Sequence, residues 1–248
     1  MDLVFWNLLP VSMAVTHLEQ KMIGSMNIVS FFKLALLIKP IILFSAVLIL
    51  NYLIPQYYQS LSHLPFWALL LIVSIPDDFS QYWWHRKSHE WPWLWKWHRP
   101  HHAAREMGVL TSYRNAMSYY VFMPNLWWLG IITFFIPYEV ILTQLIVKQF
   151  IVIGAHSKWK WDQTLYKFKV LHPLAWIVER SISTPSTHFM HHGKSNSDGI
   201  SNNNGNLSNM FFSGISFLDP LKSQGNTQRF MKLRMIPMTH GLHIFTTH

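Results

Sequence analysis

The chain has 248 residues, of which 50% are hydrophobic and 16% aromatic but only 12% charged, against roughly 25% charged in a soluble domain. Its formal charge of +9 comes from basic residues interleaved with tryptophans beside long apolar runs, a pattern that fits an anionic membrane face and argues against nucleic acid. The lack of cysteine excludes disulfides, zinc ribbons, thiolate-ligated haem and iron–sulfur clusters.

Residues 1–27 open with MDLVFWNLLPVSMAV, which is apolar, begins with Asp2 after the methionine and has no basic n-region; an interfacial or re-entrant helix is expected there, not a cleaved signal peptide. The run LALLIKPIILFSAVLILNYLI, from Leu34 to Ile54, is long enough to cross a hydrocarbon core of about 30 Å at about 1.5 Å per residue. Lys39 can snorkel near its start, and Pro40 is tolerable there. After the uncharged turn at 55–63, a second apolar run from Leu64 reaches Trp84 through Asp77 and Asp78, so residues 34–84 read as a hairpin of two spans. Residues 117–155 read as a second hairpin with Pro137 near its turn. Lys148 lies close enough to the end of its last span to snorkel. The expectation is one all-α integral membrane domain, with about four transmembrane helices in two hairpins and a cytoplasmic, histidine-rich helical cap formed by 85–116 and 156–210. The tail, 211–248, contains the short basic amphipathic piece TQRFMKLRMIPM, expected to lie on the membrane or over the cap.

Basic residues set the orientation. Arg86, Lys87, Lys96, Arg99, Arg105 and Arg114 lie between the hairpins, and Lys158, Lys160, Lys167, Lys169, Arg180 and Lys194 follow the second, whereas the turns at 55–63 and near 137 carry no Lys or Arg. By the positive-inside rule the segments between and after the hairpins are cytoplasmic, in a bacterial cytoplasmic membrane or the endoplasmic reticulum.

Those same segments carry the histidines. His85 and His89 are four apart, and His98, His101 and His102 form an HxxHH pattern that recurs at His188, His191 and His192. On a helix, i, i+3 and i+4 share a face, so each group aims two or three imidazoles at one point. His156, at the mouth of the last span, makes a plausible ninth ligand. Two metals with four or five nitrogens each, plus an open position, fit that count. Imidazole suits iron, zinc, copper and nickel, so ligand type alone does not select the metal. Paired irons would allow O2 to be used against an unactivated C–H bond. A membrane metal carrier and a catalytically inactive scaffold are the competing readings; the spans offer a carrier little beyond Lys39, Lys148 and the Asp77 and Asp78 pair. Asp78 suits an acceptor for the free ring N–H of a ligand.

At these residues the chain resembles the fatty acid hydroxylase and sterol desaturase superfamily. The match runs through Asp78, Tyr82, Trp83, His85, Arg86 and His89, then Pro92 to His102, then His156 and Ser157, then Thr184 to His192. After the third box Asp198, Asn203 and Gly205 keep the family pattern, while Asn204 stands where an aromatic is usual and Ala103 where a serine often follows the second box. The resemblance covers about residues 70 to 210. It implies a membrane-bound di-iron oxygenase that hydroxylates or desaturates a lipid with O2, with the nine histidines as ligands and Asp78, Asp198 and Asn203 behind them. Zinc could occupy such a site in a purified sample. No GxGxxG element or HPGG haem segment occurs in the sequence, so electrons are expected from a separate ferredoxin-like or cytochrome-b-type protein with its reductase.

Overall fold

A helix that meets lipid on one side and protein on the other needs only a narrow buried stripe. The computed structural model, which describes residues 28–104, 107–193 and 205–211, has its regular elements all helical among those residues. In chain order they are α1 (Ile28–Leu53), α2 (Phe66–Glu90), α3 (Pro92–His102), α4 (Met117–Val121), α5 (Pro124–Phe135), α6 (Tyr138–Ala155), α7 (His172–Ser181) and α8 (Pro185–His191), joined by short 3-10 turns and a single helical turn at Thr164–Lys167. The expected helix at 1–27, the loop at 194–204 and the tail from 212 onward lie outside the described residues.

Among the described residues only α1 and α6 are long and apolar enough to cross a membrane, and 22% of the apolar window of each is buried. Such exposure suits lipid contact and not the core of a soluble protein. On α1 the buried residues Leu34, Ile38, Ile42 and Ala46 recur every fourth position, while Leu36, Leu37, Ile41, Phe44 and Leu48 are exposed.

Two expected spans, and with them the pair of hairpins, are therefore corrected. The stretch from Met117 to Pro137 is broken at Phe122 and Met123 into α4 and α5. The 12 residues of α5 rise only about 18 Å, short of a core of about 30 Å. The run from Leu64 does not stop before the histidines. It continues as one 25-residue helix containing Asp77, Asp78, Arg86, Lys87 and Glu90, and no 18-residue stretch of it stays apolar enough for a membrane-crossing window.

α5 instead serves as packing material, lying against both α1 and α2. It approaches α1 closely because Gly130 has no side chain: a Cβ there would sit 2.8 Å from Ala46 Cβ and 3.2 Å from the Ile42 carbonyl oxygen. Small residues at such crossings let backbones approach. Leu69, Val73, Leu129, Ile132, Ile136, Val140 and Ile141 close one core between α2, α5 and α6. Leu34, Ile38, Ile42, Tyr113, Tyr119, Tyr120, Met123 and Leu126 form a second. At the far end of α5 the turn after α1 ties on, with the Gln59 and Leu61 N–H groups donating to the carbonyls of Phe134 and Phe135, which a helix end leaves without intrahelical partners.

Within α1, Leu34–Ile38 forms a π-turn in which the Lys39 N–H bonds the Leu34 carbonyl, five residues back. Pro40 follows at once. A proline lacks the N–H of a regular α-helical bond and crowds the preceding turn, and the wider turn falls where that misfit must be absorbed.

Candidate metal centre

Four elements bring their histidines to one place. His85 and His89 occupy the last turns of α2. The extended backbone of Trp91 then lets Pro92 start α3, which presents His98, His101 and His102. His156 caps the C-terminus of α6. α8 carries His188 and His191, with His192 at its cap. That short helix is held at its start by a capping box in which Thr184 accepts from the Thr187 N–H and the Thr187 hydroxyl accepts from the Thr184 N–H. Pro185 stands at its first position, as the missing N–H permits. Asp162 Oδ2 accepts the Ser186 N–H, placing a carboxylate at the same end.

The nine imidazoles fall into two groups, His85, His89, His98, His102 and His191 in one and His101, His156, His188 and His192 in the other, each with its ligand atoms within 4.8 Å of one another. The division cuts through the sequence boxes. In each HxxHH the i and i+4 members stay together and the i+3 member joins the other group. The groups adjoin, with the His102 and His192 rings stacked at 4.4 Å and the His101 and His192 rings 4.5 Å apart.

Ring protons show what the groups can hold. Nδ1 of His85 lies 2.9 Å from the Leu207 carbonyl oxygen, that of His101 2.8 Å from Thr111, that of His156 2.9 Å from Val152 and that of His191 2.9 Å from Gly205. A carbonyl oxygen only accepts, so each Nδ1 carries the proton. Asn115 Oδ1 takes the same role for His98 and Asn206 Oδ1 for His188, each at 2.8 Å. Burial removes water from the rings and keeps them neutral. It lowers the His101 pKa to about 3 and that of His188 to about 4, the latter against the raising effect of the Asn206 hydrogen bond. In a neutral ring with its proton on Nδ1, Nε2 is a bare lone pair. Yet the His85 and His191 Nε2 atoms face each other at 3.1 Å, and those of His156 and His188 at 2.9 Å. Neither member of either pair can donate. Such contacts are repulsive until a cation stands between them, and two nitrogens bound at right angles about 2.1 Å from one ion are about 3 Å apart. The buried Nε2 of His89 has no hydrogen-bond partner among the described residues. The donor set therefore fits two metal ions.

Behind the rings, sequence reasoning singled out Asp78, Asp198 and Asn203. Asp78 is fully buried, and its Oδ1 accepts the backbone N–H groups of Asn209 and Met210, 3.1 Å each. It thereby fixes the segment whose Gly205 and Leu207 carbonyls take the ring protons of His191 and His85. Asp198 and Asn203 lie outside the described residues. Asn115, Asn206 and Asp162 were not foreseen. His172 stays apart from both groups, its Nε2 3.2 Å from the Tyr166 carbonyl oxygen, and His63 Nδ1 meets the Ser60 carbonyl oxygen. Lys148 does not snorkel. Its ammonium pairs with the buried carboxylate of Asp77, which also accepts from Gln144 at 2.9 Å and Asn125 at 3.1 Å.

A cavity of about 140 Å3 opens beside the centre and touches both groups through His85, His98, His101, His156 and His188. Its other walls include Leu34, Met123, Leu126, Leu129, Leu145 and Val152. The space is mainly apolar and adjoins the metal-binding nitrogens.

A family model described as fatty acid hydroxylase matches residues 67–213, a stretch that holds all nine histidines. An alkylglycerol monooxygenase of Xenopus tropicalis is 30% identical over 117 residues, 47% of this chain and 23% of the relative. The chain thus matches about a quarter of that curated relative's length. No solved structure matches the chain.

Proposed function

The chain belongs to the fatty acid hydroxylase family, and from that premise we propose that it is a membrane-bound oxygenase that hydroxylates or desaturates a lipid C–H bond with O2, two iron ions and electrons from a separate protein. The observation that carries this reading is the pair of adjoining imidazole groups with facing, unprotonated Nε2 atoms. When bound, two irons supply the redox equivalents for reducing O2 and the oxidising power for taking hydrogen from an unactivated carbon.

The chain's own residues supply the rest. The carbonyls of Thr111, Val152, Gly205 and Leu207 and the amides of Asn115 and Asn206 keep six ring protons on Nδ1, which fixes ring orientation as well as tautomer. Nine neutral ligands bring no charge of their own, so the centre retains the full positive charge of its ions. Apolar residues of the cavity exclude water from the reacting carbon and from short-lived oxidants. The exposed apolar faces of α1 and α6 suit entry of a lipid from the bilayer. Lys158, Lys167 and Lys169 are exposed in the segment that follows His156, and with Lys160 they suit an acidic electron carrier approaching from the cytoplasm. The relative's name makes an alkylglycerol the first ether lipid to test beside fatty acyl and sterol substrates.

The test is iron content per purified chain together with O2-dependent change of a lipid in the presence of a reductant, read by mass as gain of one oxygen or loss of two hydrogens. About two irons per chain and such a product are expected. Metal-loaded chain that leaves a broad membrane lipid extract unchanged under O2 and reductant would sink the oxygenase reading. Neutralising the four lysines is expected to slow reduction by the carrier and flatten its salt dependence, and an unaltered salt dependence removes that surface from the docking site.

A further inference from the structure

The cavity has one feature that an apolar substrate does not need. Lys39 and Lys148 both line it, and neither belongs to the histidine groups. Lys148 is matched by Asp77. Lys39 lies within electrostatic reach of both, but among the described residues it makes no hydrogen bond or ion pair. Two lysines thus stand beside a single carboxylate, Asp77, among the described residues of this region. Lys39 also sits near the middle of the 26-residue α1, immediately after the π-turn at Leu34–Ile38. Ionisable side chains at such depth are costly and mark binding sites or pathways more often than they serve packing, and π-turns recur at functional sites.

Position relates this charge to the chemistry. Asp77 precedes His85 by eight residues of α2, and Lys148 precedes His156 by eight residues counted along α6, so each charged group lies about 12 Å along its helix from a histidine of the centre. Tyr113, Ser112, Gln81 and Gln149 line the same space, together with leucines and Met123.

We propose that this cavity binds a lipid by an anionic end group, a carboxylate or phosphate ester held by the Lys39 ammonium, with the chain beyond it laid against the histidine centre. The proposal rests on the oxygenase reading above and narrows its substrate class to lipids with an acidic end. Lys39 is a binding residue in this scheme, and Lys148 with Asp77 forms the neutral wall beside it.

The experiment measures lipid binding to the full chain in nanodiscs of neutral phospholipid, both metal-free and zinc-loaded. The probes are palmitate, hexadecyl phosphate, methyl palmitate and 1-O-hexadecylglycerol, with wild type, Lys39→Met and Lys39→Arg compared. Palmitate or hexadecyl phosphate is expected to bind wild type at least about tenfold more tightly than the two uncharged probes, with Lys39→Met erasing that preference and Lys39→Arg keeping most of it. Whichever acid shows the larger loss identifies the end group. Equal binding of charged and uncharged probes to wild type would overturn the proposal, as would an anion preference that survives in Lys39→Met. Zinc stoichiometry equal to wild type shows that each variant retains a folded centre. Because no turnover is read, an intact acid preference in a chain that oxidises nothing defeats the oxygenase reading alone, and O2-dependent turnover without charge preference defeats this proposal alone.

Discussion

The two histidine groups do the same chemical job but are assembled differently. Four of the five histidines in the larger group, His85, His89, His98 and His102, come from consecutive helices joined at Trp91 and Pro92, and only His191 arrives from afar. The four-histidine group draws His101 from α3, His156 from the end of α6, and His188 and His192 from α8. One is a largely local product of a helix–helix corner. The other exists only when three distant parts of the chain are docked, which makes it the more vulnerable of the two.

Single-ligand removal should expose that contrast most strongly. His188→Ala takes the smaller group below four nitrogens and is expected to reduce bound metal from about two ions per chain to about one, with loss of lipid oxidation, whereas His89→Ala leaves four nitrogens in the larger group and both ions in place. Metal analysis of the two purified variants checks this, and equal losses would show that the groups are not independent. Next in size, Asn206→Ala deprives His188 of its ring-proton acceptor and should weaken metal binding at the smaller group by about 10- to 100-fold, measured by chelator competition. Gly130→Val acts away from both groups by forcing side-chain atoms into Ala46 and the Ile42 carbonyl of α1. It should cost about 1–3 kcal/mol of stability, seen as a lower thermal midpoint without a change in the ratio of the two metal affinities. The smallest effect belongs to Thr184→Ala, which breaks the capping box of α8 for about 1 kcal/mol and should loosen the smaller group's metal more than the larger's.

The sequence made the histidines conspicuous because helical spacing is a local property. His85 and His89 share a face wherever α2 goes. It could not show that His101 and His191 cross over to the opposite group, since i+3 and i+4 neighbours differ by a fraction of a turn and tertiary docking decides between them. Asn206 was hidden for a related reason: it lies in the asparagine-rich run NNNGN, where nothing local separates one amide from the next. Lys148 looked able to reach the membrane surface because its partner, Asp77, is 71 positions away. The hairpins failed because apolar composition was equated with crossing. α5 is apolar yet short, and α2 is long yet charged, so the first is packed between neighbours and the second carries ligands at its end.

The last carbonyls in sequence to engage the centre, those of Gly205 and Leu207, come from a strap that Asp78 clasps from 131 positions earlier. During synthesis, a helix that already holds His85 must therefore wait for more than a hundred further residues before that ring acquires a fixed tautomer, whereas His98 and His101 find their acceptors on Asn115 and Thr111 within 17 and 10 residues. A ribosome stalled before residue 205 leaves a nascent chain in which His85 and His191 are present but not yet aimed.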